Sequence, residues 1–124
     1  MRFEKFLILL ITSFLLKNGI SQDLFKITYG NLDSIRVTAA QFKTQKELIV
    51  PNGFHLDSAI AYFSIAGQTG VGKVEYRPNY DSTRFNKYVD LLIPGSSIIF
   101  DNIRLRSRED AIFQPHNTVR YIIK

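Results

Sequence analysis

The sequence contains no cysteine and no tryptophan among its 124 residues. Without cysteine there can be no disulfide bond to support the fold and no thiolate ligand for a metal ion. Without tryptophan, much of the bulk of the core must come from the ten phenylalanines and six tyrosines. No internal repeat or low-complexity segment is present. The chain therefore gives no sign of a second globular domain.

Residues suited to catalysis are also scarce, since His55 and His116 are the two histidines of the chain. Neither has a second ligand at a recognised spacing, and a zinc site needs three or four ligands. No serine lies in a G-x-S-x-G elbow, and the glycine-rich run Gly67–Gly72 lacks the Lys-Ser/Thr ending of a phosphate loop. We therefore expect a protein that is not an enzyme and holds no cofactor or metal. A small hydrolase that uses one of the histidines is the catalytic alternative.

The first residues have the pattern of an export signal. Arg2 and Lys5 precede an uncharged apolar run, Phe6–Leu16, and the stretch Lys17–Ser21 follows with the small residues Gly19 and Ser21. A basic head, an apolar run of about 7–15 residues and a small-residue exit are typical of secretory signal peptides. The run is shorter than the roughly 20 residues that cross a bilayer. We predict a signal peptide over 1–21, cleaved after Ser21, with an uncleaved membrane anchor as the alternative.

The remaining residues, 22–124, are predicted to form one domain that is periplasmic or secreted, with no transmembrane span after cleavage. This part has thirteen basic and ten acidic side chains. So small a positive excess on an exported chain argues against a nucleic-acid partner. The length of the domain allows a single core of modest size.

Short apolar runs alternate with turn residues along this domain. Roughly seven short strands with turns between them indicate an all-β fold, an immunoglobulin-like antiparallel β-sandwich. One short helix is predicted over Ser82–Leu92, where apolar residues recur at helical spacing. The predicted strands lie within Leu24–Tyr29, Ser34–Ala40, Glu47–Val50, Asp57–Ala66, Lys73–Arg77, Ser96–Arg106 and Val119–Ile123.

Two of these strands depart from simple alternation. Asp57–Ala66 is apolar on both faces, which suits a central strand covered on both sides or one at a protein contact. In Ser96–Arg106 the apolar residues change phase, and a β-bulge at Asp101-Asn102 would direct Phe100 and Ile103 into the same core. Asp57 and Asp101 also form a candidate carboxylate pair for glycoside chemistry. We favour local hydrogen bonding for Asp101-Asn102.

Two sets of residues are candidates for binding a partner. Arg104, Arg106 and Arg108 alternate along one strand and its exit, so their guanidinium groups would share one face at a spacing of about 7 Å. Such a face suits an anionic partner, and a merely solvated strand face is the alternative. Tyr76 and Tyr88 lie near basic residues and would form a second, aromatic–basic surface.

The C-terminal third carries a resemblance to a known family. A turn at Pro94-Gly95 precedes the segment Ile99–Ile103, which reads Ile-Phe-Asp-Asn-Ile. A variable loop over Arg106–Asn117 and a final apolar strand over Val119–Ile123 follow. This order resembles the end of the C-terminal domain of GldM, the gliding-motility and type IX secretion protein of Bacteroidetes.

The upstream strand Ala59–Ile65, which stands before a glycine-rich turn, resembles the same family, so that the resemblance covers Phe54–Lys124. It implies a periplasmic or surface β-sandwich that makes protein contacts. We therefore expect an exported, non-enzymatic protein-interaction domain of the bacterial envelope, with an envelope protein as partner and a homo-oligomer left open. The alternative is a small secreted carbohydrate-binding module that stacks sugars on Tyr76, Tyr80 and Tyr88.

Overall fold

The computed structural model describes residues 26–78, 82–115 and 117–124. The predicted signal peptide, Tyr80 and His116 lie outside the described residues. The described chain is mostly β, as predicted, with eight strands and two helices rather than one. In chain order these are β1 (Thr28–Tyr29), β2 (Arg36–Val37), α1 (Ala39–Lys43), β3 (Leu48–Ile49), β4 (Phe54–Ser64), β5 (Gly72–Tyr76), α2 (Thr83–Asp90), β6 (Ser97–Ser107), β7 (Ile112–Phe113) and β8 (Val119–Ile123).

The strands form one small and one large sheet. β1 and β3 pair as a two-stranded antiparallel sheet, and the other six strands form a sheet of order β2-β8-β6-β4-β5, in which β7 also pairs with β6. β2 runs parallel to β8, whereas the other pairs in the large sheet are antiparallel. The prediction of a purely antiparallel arrangement is therefore wrong at this edge. A parallel pair needs a long connection between its strands, and here nearly the whole domain provides it.

One face of the large sheet, which we call the inner face, carries most of the core. α1, α2 and the β1–β3 sheet all pack against it through aromatic side chains. The ring of Tyr29 lies 5.3 Å from that of Phe100 and 4.6 Å from that of Phe42, and the ring of Phe85 lies 5.3 Å from that of Phe63. The buried inner-face residues of the sheet are Val37, Ala59, Ala61, Phe63, Val74, Tyr76, Ile98, Phe100, Ile103, Leu105, Val119, Tyr121 and Ile123.

Helix α1 occupies part of a segment that the sequence predicted as strand. Thr38 begins it with a capping box: its hydroxyl accepts from the Gln41 N–H at 3.0 Å, and its own N–H donates to the Gln41 side chain at 2.8 Å. The helix is held by Phe42, which is fully buried against the rings of Tyr29 and Tyr121. The strand prediction over Ser34–Ala40 is correct only for the two residues of β2.

Helix α2 and the bulge in β6 are both confirmed. α2 buries Phe85 and Val89, as its helical spacing predicted. Phe100 and Ile103 are both fully buried, and Asn102 between them takes a positive φ of 49°. Asn102 is the extra residue of the bulge, because Asp101 pairs with Ile60 while Arg104 pairs with Ser58. Asparagine tolerates this backbone conformation better than most residues.

A second bulge lies close by, in β4. Ser58 pairs with Arg104 and Leu56 pairs with Leu105, so Asp57 is the extra residue on this strand. The two bulges bring the pairing of β4 with β6 back to its original register, and Leu56 packs against the core. Each bulge bends its strand locally and leaves its extra side chain free for another role.

Candidate interaction surface

The opposite face of the large sheet, which we call the outer face, is apolar at its centre. Ile60 and Tyr62 of β4, Ile99 of β6 and Ile122 of β8 are half-buried there. Tyr62 pairs with Ile99, so these two side chains are direct neighbours across the strands. The rings of α1, α2 and β1 contact the inner face instead. We refer to these four residues as the apolar centre.

Basic side chains surround the apolar centre. Arg36 pairs with Ile122, Arg120 pairs with Ile99, and Lys73 pairs with Tyr62. Arg104 follows on β6 beyond the bulge. All four are exposed, and none makes an ion pair with another described residue. We call them the basic rim, and they follow from the strand register rather than from closeness in sequence.

Acidic groups on the outer face are fewer. Asp101 and Glu75 pair across the sheet with Ile60. Glu75 is neutralised by Arg77, whose Nη2 lies 2.6 Å from a Glu75 carboxylate oxygen. The charge around the apolar centre is therefore mainly positive, which suits a negatively charged partner.

The three predicted arginines differ in their surroundings. Arg104 is exposed on the outer face, whereas Arg108 lies in the turn that follows β6. The Arg106 side chain donates to the Asp57 carboxylate at 2.9 Å and lies 3.6 Å from that of Asp110. The hydrogen bond from Arg106 lowers the pKa of Asp57, and the same bond raises the pKa of Arg106. Arg106 therefore links the β4 bulge to β6. It alternates with the buried Leu105 and shares a face with Arg104, and binding of a partner by the three arginines stays a prediction.

The predicted aromatic–basic surface does not form around Tyr76. This side chain is 9% exposed, its ring lies 5.1 Å from that of Phe85, and its hydroxyl donates to the Lys46 carbonyl at 3.3 Å. Burial raises the pKa of Tyr76. Its ring belongs to the core because β5 directs Val74 and Tyr76 inward. Tyr88 is half-buried and stacks on Phe63 at 5.1 Å.

The candidate catalytic residues are separated or already engaged. His55 is exposed at the start of β4, opposite Arg106. Asp57 is bound by Arg106, and the Asp101 carboxylate accepts from the Asn102 N–H at 2.8 Å, which confirms the local hydrogen bond predicted there. Within the described ranges, no three His, Cys, Asp or Glu residues lie close enough together to hold a metal ion.

Sequence reasoning missed most of this surface. Ile60 and Tyr62 were recognised as a second apolar face of their strand, but the neighbours that complete the apolar centre depend on pairings between distant segments. The basic rim has the same origin, since Arg36 and Arg120 come from strands near opposite ends of the domain. No local pattern identifies such a surface.

Across the described ranges, no helix has both the length and the apolar character needed to span a membrane. The chain matches no protein-family model, no curated protein and no solved structure.

Proposed function

We propose that this chain is a non-enzymatic protein-interaction domain of the bacterial envelope and that its contact surface is the outer face. The observation that carries the proposal is the apolar centre, four half-buried side chains on the face opposite to the one that the rings of α1, α2 and β1 contact. Contiguous apolar patches rimmed by polar residues mark interaction sites in soluble proteins. Tyrosine and arginine are also the residue types enriched at contact surfaces.

The partner follows from the chemistry of the two parts of this surface. The apolar centre requires an apolar patch of similar size on the partner. The basic rim requires carboxylates around that patch, because four exposed cations without described ion partners attract negative charge. The partner is therefore a folded protein with an acidic ring around an apolar centre.

The location and the fold family belong to the same proposal. The tripartite segment over 1–21 supports export, by a signal peptide, to the periplasm or the medium. The resemblance of Pro94–Ile103 to the GldM C-terminal domain supports an envelope partner and a link to gliding or type IX secretion. Two β layers around one core support an immunoglobulin-like sandwich of reduced size.

A carbohydrate-binding function is less well supported. It requires exposed coplanar rings, whereas Tyr76 is buried and Tyr88 is stacked on Phe63. A glycan array with the purified domain tests it directly. If a variant with substituted apolar-centre residues still bound a sugar, this result would favour carbohydrate binding over the protein contact.

The test of the proposed function is a quantitative pull-down from an envelope extract of the host. The variant Tyr62→Ser/Ile99→Ser removes the middle of the apolar centre. Ile49→Ser is the matched control, because Ile49 is an exposed apolar residue of the small sheet, 46% exposed. We expect the wild type and the Ile49→Ser control to capture a protein that the double variant does not capture. The circular dichroism spectra of the two variants should match that of the wild type.

The basic rim is tested with the captured protein once it has been purified. Arg104→Ser/Arg120→Ser should slow association and reduce its dependence on salt, since rim charges act mainly on the association rate. Arg106 is left intact because it holds Asp57. Equal capture by wild type and by the Tyr62→Ser/Ile99→Ser variant would contradict the proposed function.

A further inference from the structure

Strand β5 has one edge that no strand of the described residues pairs with. Its other edge pairs with β4, from Phe63 opposite Gly72 to Ala59 opposite Tyr76. In the described part of the chain, no backbone hydrogen bond reaches β5 from any element besides β4. In an antiparallel strand alternate residues point their N–H and C=O groups away from the partner strand. β5 therefore presents a row of backbone groups that no described residue pairs with and that another strand can use.

Helix α2 runs beside this free edge and forms a groove with it. The groove has a volume of about 860 Å³, within the range of roughly 300–1,000 Å³ that is usual for ligand clefts. On the helix side its residues are spaced three or four apart, so they form one stripe. The residues that define this edge groove are Val74, Glu75, Arg84, Lys87, Tyr88 and Leu91.

The helix wall of the edge groove is fixed close to the strand. A Cβ atom on Gly72 would clash with the Tyr88 ring, so only glycine lets the helix approach this near. The other contact of Tyr88 is its stacking on Phe63, with the two rings 15° from parallel. The groove is therefore preformed, which lowers the entropic cost of filling it.

The chemistry of the edge groove indicates what fills it. Leu91 is an apolar residue that is 45% exposed, and it lies one helical turn from Tyr88. Arg84 and Lys87 are exposed and make no ion pair with a described residue, whereas Glu75 already binds Arg77. The charge of the groove that no described residue neutralises is therefore positive.

We propose that the edge groove binds an extended, acidic peptide segment, which adds to β5 as a further strand. Backbone hydrogen bonds to β5 provide the affinity in this mode of recognition, and pockets for alternate side chains provide the selectivity. Apolar side chains of the peptide pack against Tyr88 and Leu91, and its carboxylates meet Arg84 and Lys87. Glu75 is the one groove residue that also lies on the outer face, and β5 carries Lys73 of the basic rim as well. The proposal does not depend on the proposed function, because none of the apolar centre lines the groove.

The test uses a short fluorescently labelled peptide in which valine and glutamate take turns at every second position, so that both face α2, with serine at the positions between them. Anisotropy measures its binding to the domain. One comparison peptide has lysine in place of each glutamate. A second has N-methylated backbone nitrogens at alternate residues, which cannot donate hydrogen bonds to β5. We expect the acidic peptide to bind and both comparison peptides to bind at least about tenfold more weakly, a difference of about 1.4 kcal/mol.

The protein variants separate this site from the rest of the surface. Arg84→Glu/Lys87→Glu should reduce affinity for the acidic peptide at least about tenfold. Lys43→Glu/Lys46→Glu is the matched control, since it makes the same charge change at exposed lysines elsewhere. The variant Tyr62→Ser/Ile99→Ser should bind the peptide normally. Equal binding by the Arg84→Glu/Lys87→Glu variant, equal binding of the N-methylated peptide, or no binding to the wild type would each overturn the proposal.

Discussion

The two faces of the large sheet are built from alternate residues of the same strands, yet over residues 59–62 of β4 the small side chains lie on the inner face and the large ones on the outer face. On β4, the inner face carries Ala59 and Ala61, both fully buried, and the outer face carries Ile60 and Tyr62, both half-buried. The small inner residues lie beside large ones, since Ala61 pairs with Phe100. The inner face is therefore filled by side chains of the neighbouring strands and by those of α1, α2 and the β1–β3 sheet.

The size of a residue therefore does not reveal which face of a strand is the core. The core of this domain is made by rings that converge on the inner face from four directions, namely β1, α1, α2 and β5. On the outer face the large side chains Ile60 and Tyr62 remain half-buried. Large apolar side chains that lie outside the fold's own core favour a contact with another molecule.

The largest expected difference between the faces lies in adjacent residues of β6. Phe100→Ala should reduce the free energy of unfolding by about 3–5 kcal/mol, because it leaves a cavity among the rings of Tyr29, Tyr76 and Phe85. Ile99→Ala on the outer face should cost about 1–2 kcal/mol, since that side chain is only partly removed from water. Urea denaturation measures both. Equal losses would mean that the outer face is covered as well as the inner one.

A smaller effect is expected from one hydroxyl group of the inner face. The Tyr121 hydroxyl accepts from the Tyr29 N–H at 2.8 Å and donates to the Leu32 carbonyl at 2.7 Å. Tyr121→Phe leaves both backbone groups unpaired in the core and should cost about 1–3 kcal/mol. The control is Tyr62→Phe on the outer face, which should change stability by less than about 0.5 kcal/mol. Thermal unfolding measures the stability of both variants. An equal loss in Tyr121→Phe and Tyr62→Phe would contradict the expected difference between the two faces.

The smallest effect concerns the ion pair between Asp57 and Arg106. The hydrogen bond from Arg106 lowers the pKa of Asp57 in the folded state, so the folded carboxyl holds its proton less tightly than the unfolded one. The resulting stabilisation is present above the unfolded pKa and is lost as the pH falls through the folded pKa. The side chains are partly exposed, which keeps the effect small.

This pH dependence is measured by urea denaturation between about pH 7 and about pH 3, a range that brackets ordinary carboxyl titration. Asp57→Asn should remove part of the loss of stability on acidification. Asp90→Asn, a change at an exposed carboxylate of α2, should leave that loss as it is in the wild type. A profile of Asp57→Asn that matches the wild type would show that the ion pair does not stabilise the fold.

The sequence was most informative where the pattern is local. The spacing of Phe85 and Val89 predicted α2, and the phase change between Phe100 and Ile103 predicted the bulge. Helix α1 was missed although Thr38 and Gln41 have the spacing of a capping box, because the preceding alternation favoured a strand.

Two other misses have different causes. The inward direction of Tyr76 was available from the sequence, since Val74 and Tyr76 alternate with the charged residues Lys73 and Glu75. The parallel pairing of β2 with β8, and the basic rim that depends on it, was not available. Which distant strands become neighbours is decided by how the whole core packs, and a single sequence carries no local record of that choice.

The paired bulges of β4 and β6 have a consequence for insertions and deletions. Asp57 and Asn102 are the extra residues in the pairing of β4 with β6. The residues before and after each of them point to the same faces that they would have if the extra residue were absent. Loss of codon 57 or codon 102 would therefore leave the sorting of side chains between core and surface intact. Loss of the codon for Ile99 would instead move the β6 residues on one side of the gap to the opposite face, so that core side chains would point to the surface. Related chains should accept one-residue gaps at these two positions and at few others in the two long strands.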